Sequence, residues 1–200
     1  MTRTAICFLI IAAAACAQAP SQGDRDYCMS ELHATRKLFL DTIAGLSEGQ
    51  LKWKPAGGGW SVLEVAEHIA ATEQMIPQLV QKALEGPAAP EKKKSNPRET
   101  DAMLVKMLPV RDKKFQAPES IRPVGKYKSI NELAEAFKAA RDKNIAYVRE
   151  TGDDLRGHFA PHPAFGDLDG LQWYVLIGGH TERHVNQIKE VMGEAGFPKK

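Results

Sequence analysis

Three times along this chain a short polar residue stands three places before a Glu or Gln at the head of an apolar-periodic stretch. The pairs are Ser61 with Glu64, Ser129 with Glu132, and Asp169 with Gln172. This is the spacing of a capping box, in which the first side chain accepts from an orphan amide of the first turn and the second reaches back to the cap. Three helix starts are thereby placed at Val62, near Ile130 and near Asp169. Trp60 is set to staple against Val65 across the first of them.

The stretches that follow have one apolar face each. Before the first box, Cys28, Leu32, Phe39, Ile43 and Leu46 define a helix over Asp26 to Leu46. The second helix buries Val65, Ile69, Thr72, Ile76 and Leu79, bends at Pro77 and ends at Gly86-Pro87. The third carries Leu133, Phe137, Ala140 and Val148 inward and stops near Gly152; the fourth runs to about Met192, before Gly193. Between the second and third, residues 86 to 128 hold six prolines and the run Lys92-Lys93-Lys94, which reads as a long crossover with one short helix from Thr100 to Met107. No window alternates long enough to require a sheet. The fold class is all-α, a four-helix bundle with one long crossover between the second and third helices.

The bulk numbers agree with a single globular domain: 200 residues, 43% hydrophobic and 26% charged. With 27 basic and 25 acidic residues the net charge is +2, so no overall field draws nucleic acid or an anionic membrane. The first 17 residues differ from the rest: Arg3, an apolar run from Ala5 to Ala15, then the small residues Ala15-Cys16-Ala17. That is a secretory signal pattern, too short for a transmembrane span, and it predicts export to a periplasmic or extracellular space with cleavage after Ala17. Lipid attachment at Cys16 is the lesser alternative, because the large aliphatic residue expected three places earlier is missing. Of three cysteines only Cys28 falls in the folded body, so no disulfide framework forms.

The chemistry lies in the histidines. The fourth helix places Trp173, Ile177, His180, His184, Ile188 and Val191 on one stripe, so two imidazoles one turn apart hold core positions. His68 sits on the inner side of the second helix, three after Val65 and four before Thr72. Three inward imidazoles from two helices are able to meet on one divalent cation. Spacing alone leaves two other readings open, histidines hydrogen-bonded within the core and histidines at the surface. His158 and His162 are also four apart, yet they flank Pro161 in a Gly- and Pro-rich stretch and cannot share a helical face.

The segments Trp60-Ser61-Val62-Leu63-Glu64-Val65-Ala66-Glu67-His68-Ile69 and His180-Thr181-Glu182-Arg183-His184-Val185-Asn186-Gln187-Ile188 resemble the two signature stretches of the DinB-like family, in order and in distance. Leu51-Lys52-Trp53-Lys54-Pro55 and His162-Pro163-Ala164-Phe165-Gly166 resemble it as well, so the likeness covers most of residues 26 to 195. The resemblance implies a four-helix bundle, often a homodimer, with a divalent metal on His68, His180 and His184. It also implies a small-molecule substrate: the family includes transferases and isomerases that use small thiols such as bacillithiol or mycothiol, and metal-dependent hydrolases.

Three neutral imidazoles leave at least one coordination position free, the arrangement of a catalytic site. Zinc, nickel and iron all suit imidazole. An exported protein meets little of a cytosolic thiol, which favours hydrolysis over thiol transfer; a binding module without turnover is the third reading. Glu64 is expected to serve as the cap, Glu67 and Glu182 to point away from the inner face, and Gln187 to orient a histidine or a ligand. His162 is expected to fix its loop and His33 to be solvated or packed.

Overall fold

The computed structural model describes residues 18–199. The predicted signal segment, residues 1–17, therefore lies outside the described residues. The chain folds into a four-helix bundle built from α1 (Gln22–Ile43), α3 (Val62–Leu84), α5 (Ile130–Glu150) and α6 (Gly170–Met192), with α2 (Glu48–Lys52) and α4 (Pro97–Met107) as short additions. Around the bundle, α6 lies between α1 and α3, and α5 closes the other side against the same two helices. No helix among the described residues is long and apolar enough to cross a membrane.

The boundaries follow from the caps. Ser61 Oγ accepts from the Glu64 amide while Glu64 accepts from the Ser61 amide, and Asp169 with Gln172 makes the same reciprocal pair at the head of α6. At α5 the box is only half made: Ser129 caps the Glu132 amide, but the Glu132 carboxylate takes the amide of Lys128 instead. A further box, Ser47 with Gln50, starts the unforeseen α2, and Ser21 caps α1, whose first residue Gln22 lies four before the predicted start at Asp26. Helix α3 runs through Pro77 to Leu84.

Two apolar clusters fill the bundle. One, around Phe39, Val65, Ile69, Phe137, Val185 and Ile188, lies toward the Trp60 end; the other, around Leu32, Ile76, Leu104, Val148 and Ile177, lies toward the opposite end. Between α1, α3, α5 and α6 sits a polar link that the apolar pattern does not announce. Arg141 on α5 is fully buried and pairs with Glu73 on α3, which is 1% exposed. The guanidinium also donates to the Leu32 carbonyl, Thr35 and Thr181, and Asn144 donates to Glu73. The inward position predicted for Ala140 thus belongs to Arg141.

The crossover from α3 to α5 does contain the expected short helix, begun three residues early at Pro97. Close approach of α4 to α6 requires glycine: a Cβ on Gly179 would stand 2.9 Å from Leu108 Cδ1 and 3.0 Å from Leu108 Cβ. The described residues also include a small antiparallel hairpin, β1 (Phe159–His162) and β2 (Gly166–Asp169), where no sheet was expected. Its strands are four residues each, too short for alternation to register against Pro161 and the turn glycine Gly166 at φ 70.

Candidate metal centre

His68, from the second turn of α3, is 2% exposed, and the half-buried His180 and His184 face it from α6. The i, i+4 spacing stacks the two α6 imidazoles on one face, and the packing of α3 against α6 brings the third between them. His68 Nε2 lies 3.2 Å from His180 Nε2 and 3.2 Å from His184 Nε2. One ligand atom from each ring falls within 4.8 Å of the others. Trp60 covers one side of His68, with ring centroids 5.1 Å apart.

The outer nitrogens settle the tautomers. His68 Nδ1 is 2.8 Å from the Ile121 carbonyl, which only accepts, so Nδ1 carries the hydrogen and Nε2 a lone pair. His184 Nδ1 is 2.8 Å from Gln187 Oε1. That amide is oriented independently, because the donor-only Arg111 guanidinium also reaches Gln187 Oε1, at 3.3 Å. His184 Nδ1 is therefore a donor too. Two lone pairs face each other at 3.2 Å, and the single Nε2–H that His180 is able to offer leaves at least one of them without a donor.

A proton would relieve the conflict, but the surroundings oppose it. Burial pushes all three imidazoles down: His184 to about 3, with the His68 charge adding to the effect, His180 well below its usual value, and His68 in the same direction against the Ile121 hydrogen bond. A divalent cation accepts all three lone pairs at once. The donor set, with its outer N–H groups tied to a carbonyl and an amide, fits such an ion and points to one.

The remaining residues singled out in the sequence separate cleanly. Gln187 does orient His184, as expected. His162 fixes its own loop: Nδ1 accepts from the amides of Ala164 and Phe165, and the ring packs on Trp173. His158 bonds the Asp154 carbonyl and His33 is exposed. Glu64 is the α3 cap and also pairs with Lys54. Glu182 lies toward α1, where burial and its charge together raise the Glu31 carboxyl. Glu67 does point away from the inner face, as expected, but it is not solvated: it is only 5% exposed, because the crossover packs over that face of α3 and three backbone amides close on its carboxylate.

The crossover also lies along α6 beside the histidines. Arg183 donates to the carbonyls of Leu108, Val110 and Lys113, and Asn186 to that of Pro109. Neither contact is written in helical periodicity, which says nothing about a chain segment packed on the polar face.

A four-helix bundle with three convergent imidazoles on two adjacent helices defines a class of candidate metalloproteins. The chain belongs to the DinB superfamily, whose family model matches residues 31–188. It is similar to the uncharacterized protein YuaE of Bacillus subtilis (strain 168), 27% identical over 164 residues that cover 82% of this chain and 96% of that protein. Among solved structures it is similar to TT2238, described as a four-helix bundle protein, with a TM-score of 0.52 and 20% identity over 83% of this chain and 98% of that one. That likeness bears on the fold alone.

Proposed function

We propose that the chain is a metal-dependent hydrolase of small molecules, acting at a divalent cation held by His68, His180 and His184. The observation that carries the reading is the pair of Nε2 lone pairs of His68 and His184, which face each other at 3.2 Å with their N–H groups turned outward. Held by His68, His180 and His184 as neutral imidazoles, such a cation would keep its full charge and would supply the Lewis acidity that ionises water near neutral pH. The chain's own part is orientation. The Ile121 carbonyl and Gln187 Oε1 hold two rings in the ligating tautomer, and Trp60 shields one side of His68.

A second reading, transfer to a small thiol, draws support from the carboxylates. Glu64 is engaged in the cap, Glu67 by the crossover and Glu73 by Arg141, so none of the three is free to serve as a base. A thiol ionises with less help than water does. Export argues for water, because a secreted protein meets little cytosolic thiol.

Protein purified without a polyhistidine tag is expected to carry about one zinc, nickel or iron ion per chain. The loaded protein is expected to turn over one of a panel of carboxylic esters, amides and phosphate esters without added thiol, and to stop when a chelator is added. Turnover only with a thiol present moves the assignment to a transferase. Bound metal with no turnover leaves a binding module, and absence of stoichiometric metal defeats the site.

Export belongs to the same proposal, on the strength of Arg3, the apolar run and Ala15-Cys16-Ala17. Intact-mass analysis of chain recovered from an exporting host is expected to give a start at Gln18; a retained leader would overturn export, and an acyl mass on Cys16 would replace cleavage after Ala17 by lipid anchoring.

A further inference from the structure

Glu67 and His68 are consecutive on α3, and both hold the same short piece of the crossover. The Val124 and Lys126 amides donate to Glu67 Oε1 at 2.9 and 3.1 Å, and the Gly125 amide to Oε2 at 3.0 Å. Successive N–H groups cupped on one carboxylate form an anion nest, here around Gly125 at φ 74, a backbone setting that favours glycine. Four residues before Gly125, the Ile121 carbonyl accepts from His68 Nδ1 at 2.8 Å. Pro123 lies between the two holds and stiffens the link by fixing its own φ.

We propose that Glu67 is a positioning residue for the metal centre: by fixing the 121–126 segment it keeps the Ile121 carbonyl where that carbonyl orients His68. Metal binding and ordering of this strap then reinforce one another. The proposal rests on the metal reading of the three histidines. Its chemistry runs in both directions. A cation on Nε2 withdraws electron density from the ring and makes Nδ1–H a stronger donor to Ile121. Conversely, a strap held by Glu67 presents a preformed acceptor, so less ordering is needed when the ion binds. Coupling of this kind is reciprocal by thermodynamic linkage.

The test compares the wild-type chain with Glu67→Gln and Gly125→Ala. Glu67→Gln keeps the length of the side chain but turns an amide N–H₂ toward one of the donating backbone amides. Gly125→Ala strains the turn at φ 74, where no atom lies within 4 Å of the added Cβ, and leaves α3 untouched. Zinc affinity is read by competition with a chromophoric chelator, and amide hydrogen exchange is followed over residues 121 to 126 with and without zinc.

In the wild type, zinc is expected to slow exchange at Val124, Gly125 and Lys126 on the order of tenfold. Glu67→Gln is expected to lose that slowing and to bind zinc about 10- to 100-fold more weakly, with Gly125→Ala changed in the same direction to a smaller degree. A purely structural role would lower the unfolding temperature of the variants yet leave the zinc affinity of the folded chain within about twofold of wild type. That result, or wild-type exchange indifferent to zinc, overturns the proposal. Should Glu67→Gln fail to fold, Gly125→Ala decides by the same two readouts. A wild-type chain that takes no zinc, nickel or iron defeats the metal reading itself, and shows this before any variant is compared.

Discussion

Arg141→Ala is expected to destabilise the chain by about 3–5 kcal/mol, because it leaves the Glu73 carboxylate buried without its counter-charge. The pair sits at 0% and 1% side-chain exposure, so water is not able to replace the lost guanidinium. Four helices meet at this side chain: Leu32 and Thr35 from α1, Glu73 from α3, and Thr181 from α6 all accept from it. For a domain of this size the loss corresponds to a fall in melting temperature of roughly 6–20 °C. A second variant separates loss of a partner from loss of shape. Replacing both members, Arg141→Met with Glu73→Leu, removes the unpaired charge, and is expected to recover most of the stability. Urea unfolding of the two variants is the measurement. A cost below about 1 kcal/mol for Arg141→Ala would mean that Glu73 finds another way to be satisfied.

This network also marks where reading by periodicity stops. The inner face of α5 is buried at Leu133, Phe137, Arg141, Asn144 and Val148, an unbroken helical stripe with two polar members. An apolar template steps from Phe137 to Ala140 and passes over the charged residue beside it, because a lone arginine costs too much to bury. What makes Arg141 affordable inside is Glu73, 68 positions earlier on another helix, and local pattern does not encode that pairing. The burial of Glu67 escaped that reading for a related reason. Helical geometry places it beside the inward His68 and off the core stripe, but its face is covered by residues 124 to 126, which have no periodicity of their own.

What was legible is local chemistry at fixed offsets. Ser61 with Glu64 and Asp169 with Gln172 start α3 and α6 where the sequence places them. The apolar stripes that follow turn each helix toward the core, and His68, His180 and His184 lie on the inward side of those stripes. The hairpin from Phe159 to Asp169 lacked any such signal, since its register is held by tertiary contacts such as the indole N–H of Trp173 on the Ala160 carbonyl. The same asymmetry explains the site itself. Its three histidines could be named from the chain, whereas the groups that set the tautomers of two of them were harder to see. Gln187, one turn from His184, was within reach of that reasoning; the Ile121 carbonyl, 53 residues from His68, was not.

Removal of a ligand gives the second large effect. In wild-type protein, zinc at a thousand times its dissociation constant is expected to stabilise the fold by about 4 kcal/mol, since the ion binds the folded site and not the open chain. His184→Ala and His180→Ala are each expected to abolish stoichiometric metal and with it this stabilisation, so their melting temperatures stop responding to added zinc. The metal-free comparison runs the other way and is the sharper one. Without an ion, His68 and His184 oppose two lone pairs at 3.2 Å in a setting where burial resists protonation. Deleting one of them relieves that conflict while opening a cavity at a half-buried position. Metal-free His184→Ala is therefore expected to melt close to, or above, the metal-free wild type, although a single substitution of this kind ordinarily costs about 0.5–3 kcal/mol. Calorimetry of the two proteins after chelation measures the difference. A loss of that ordinary size in the metal-free variant would show that the three imidazoles are satisfied by one another, and the case for a cation at their centre would fall with it.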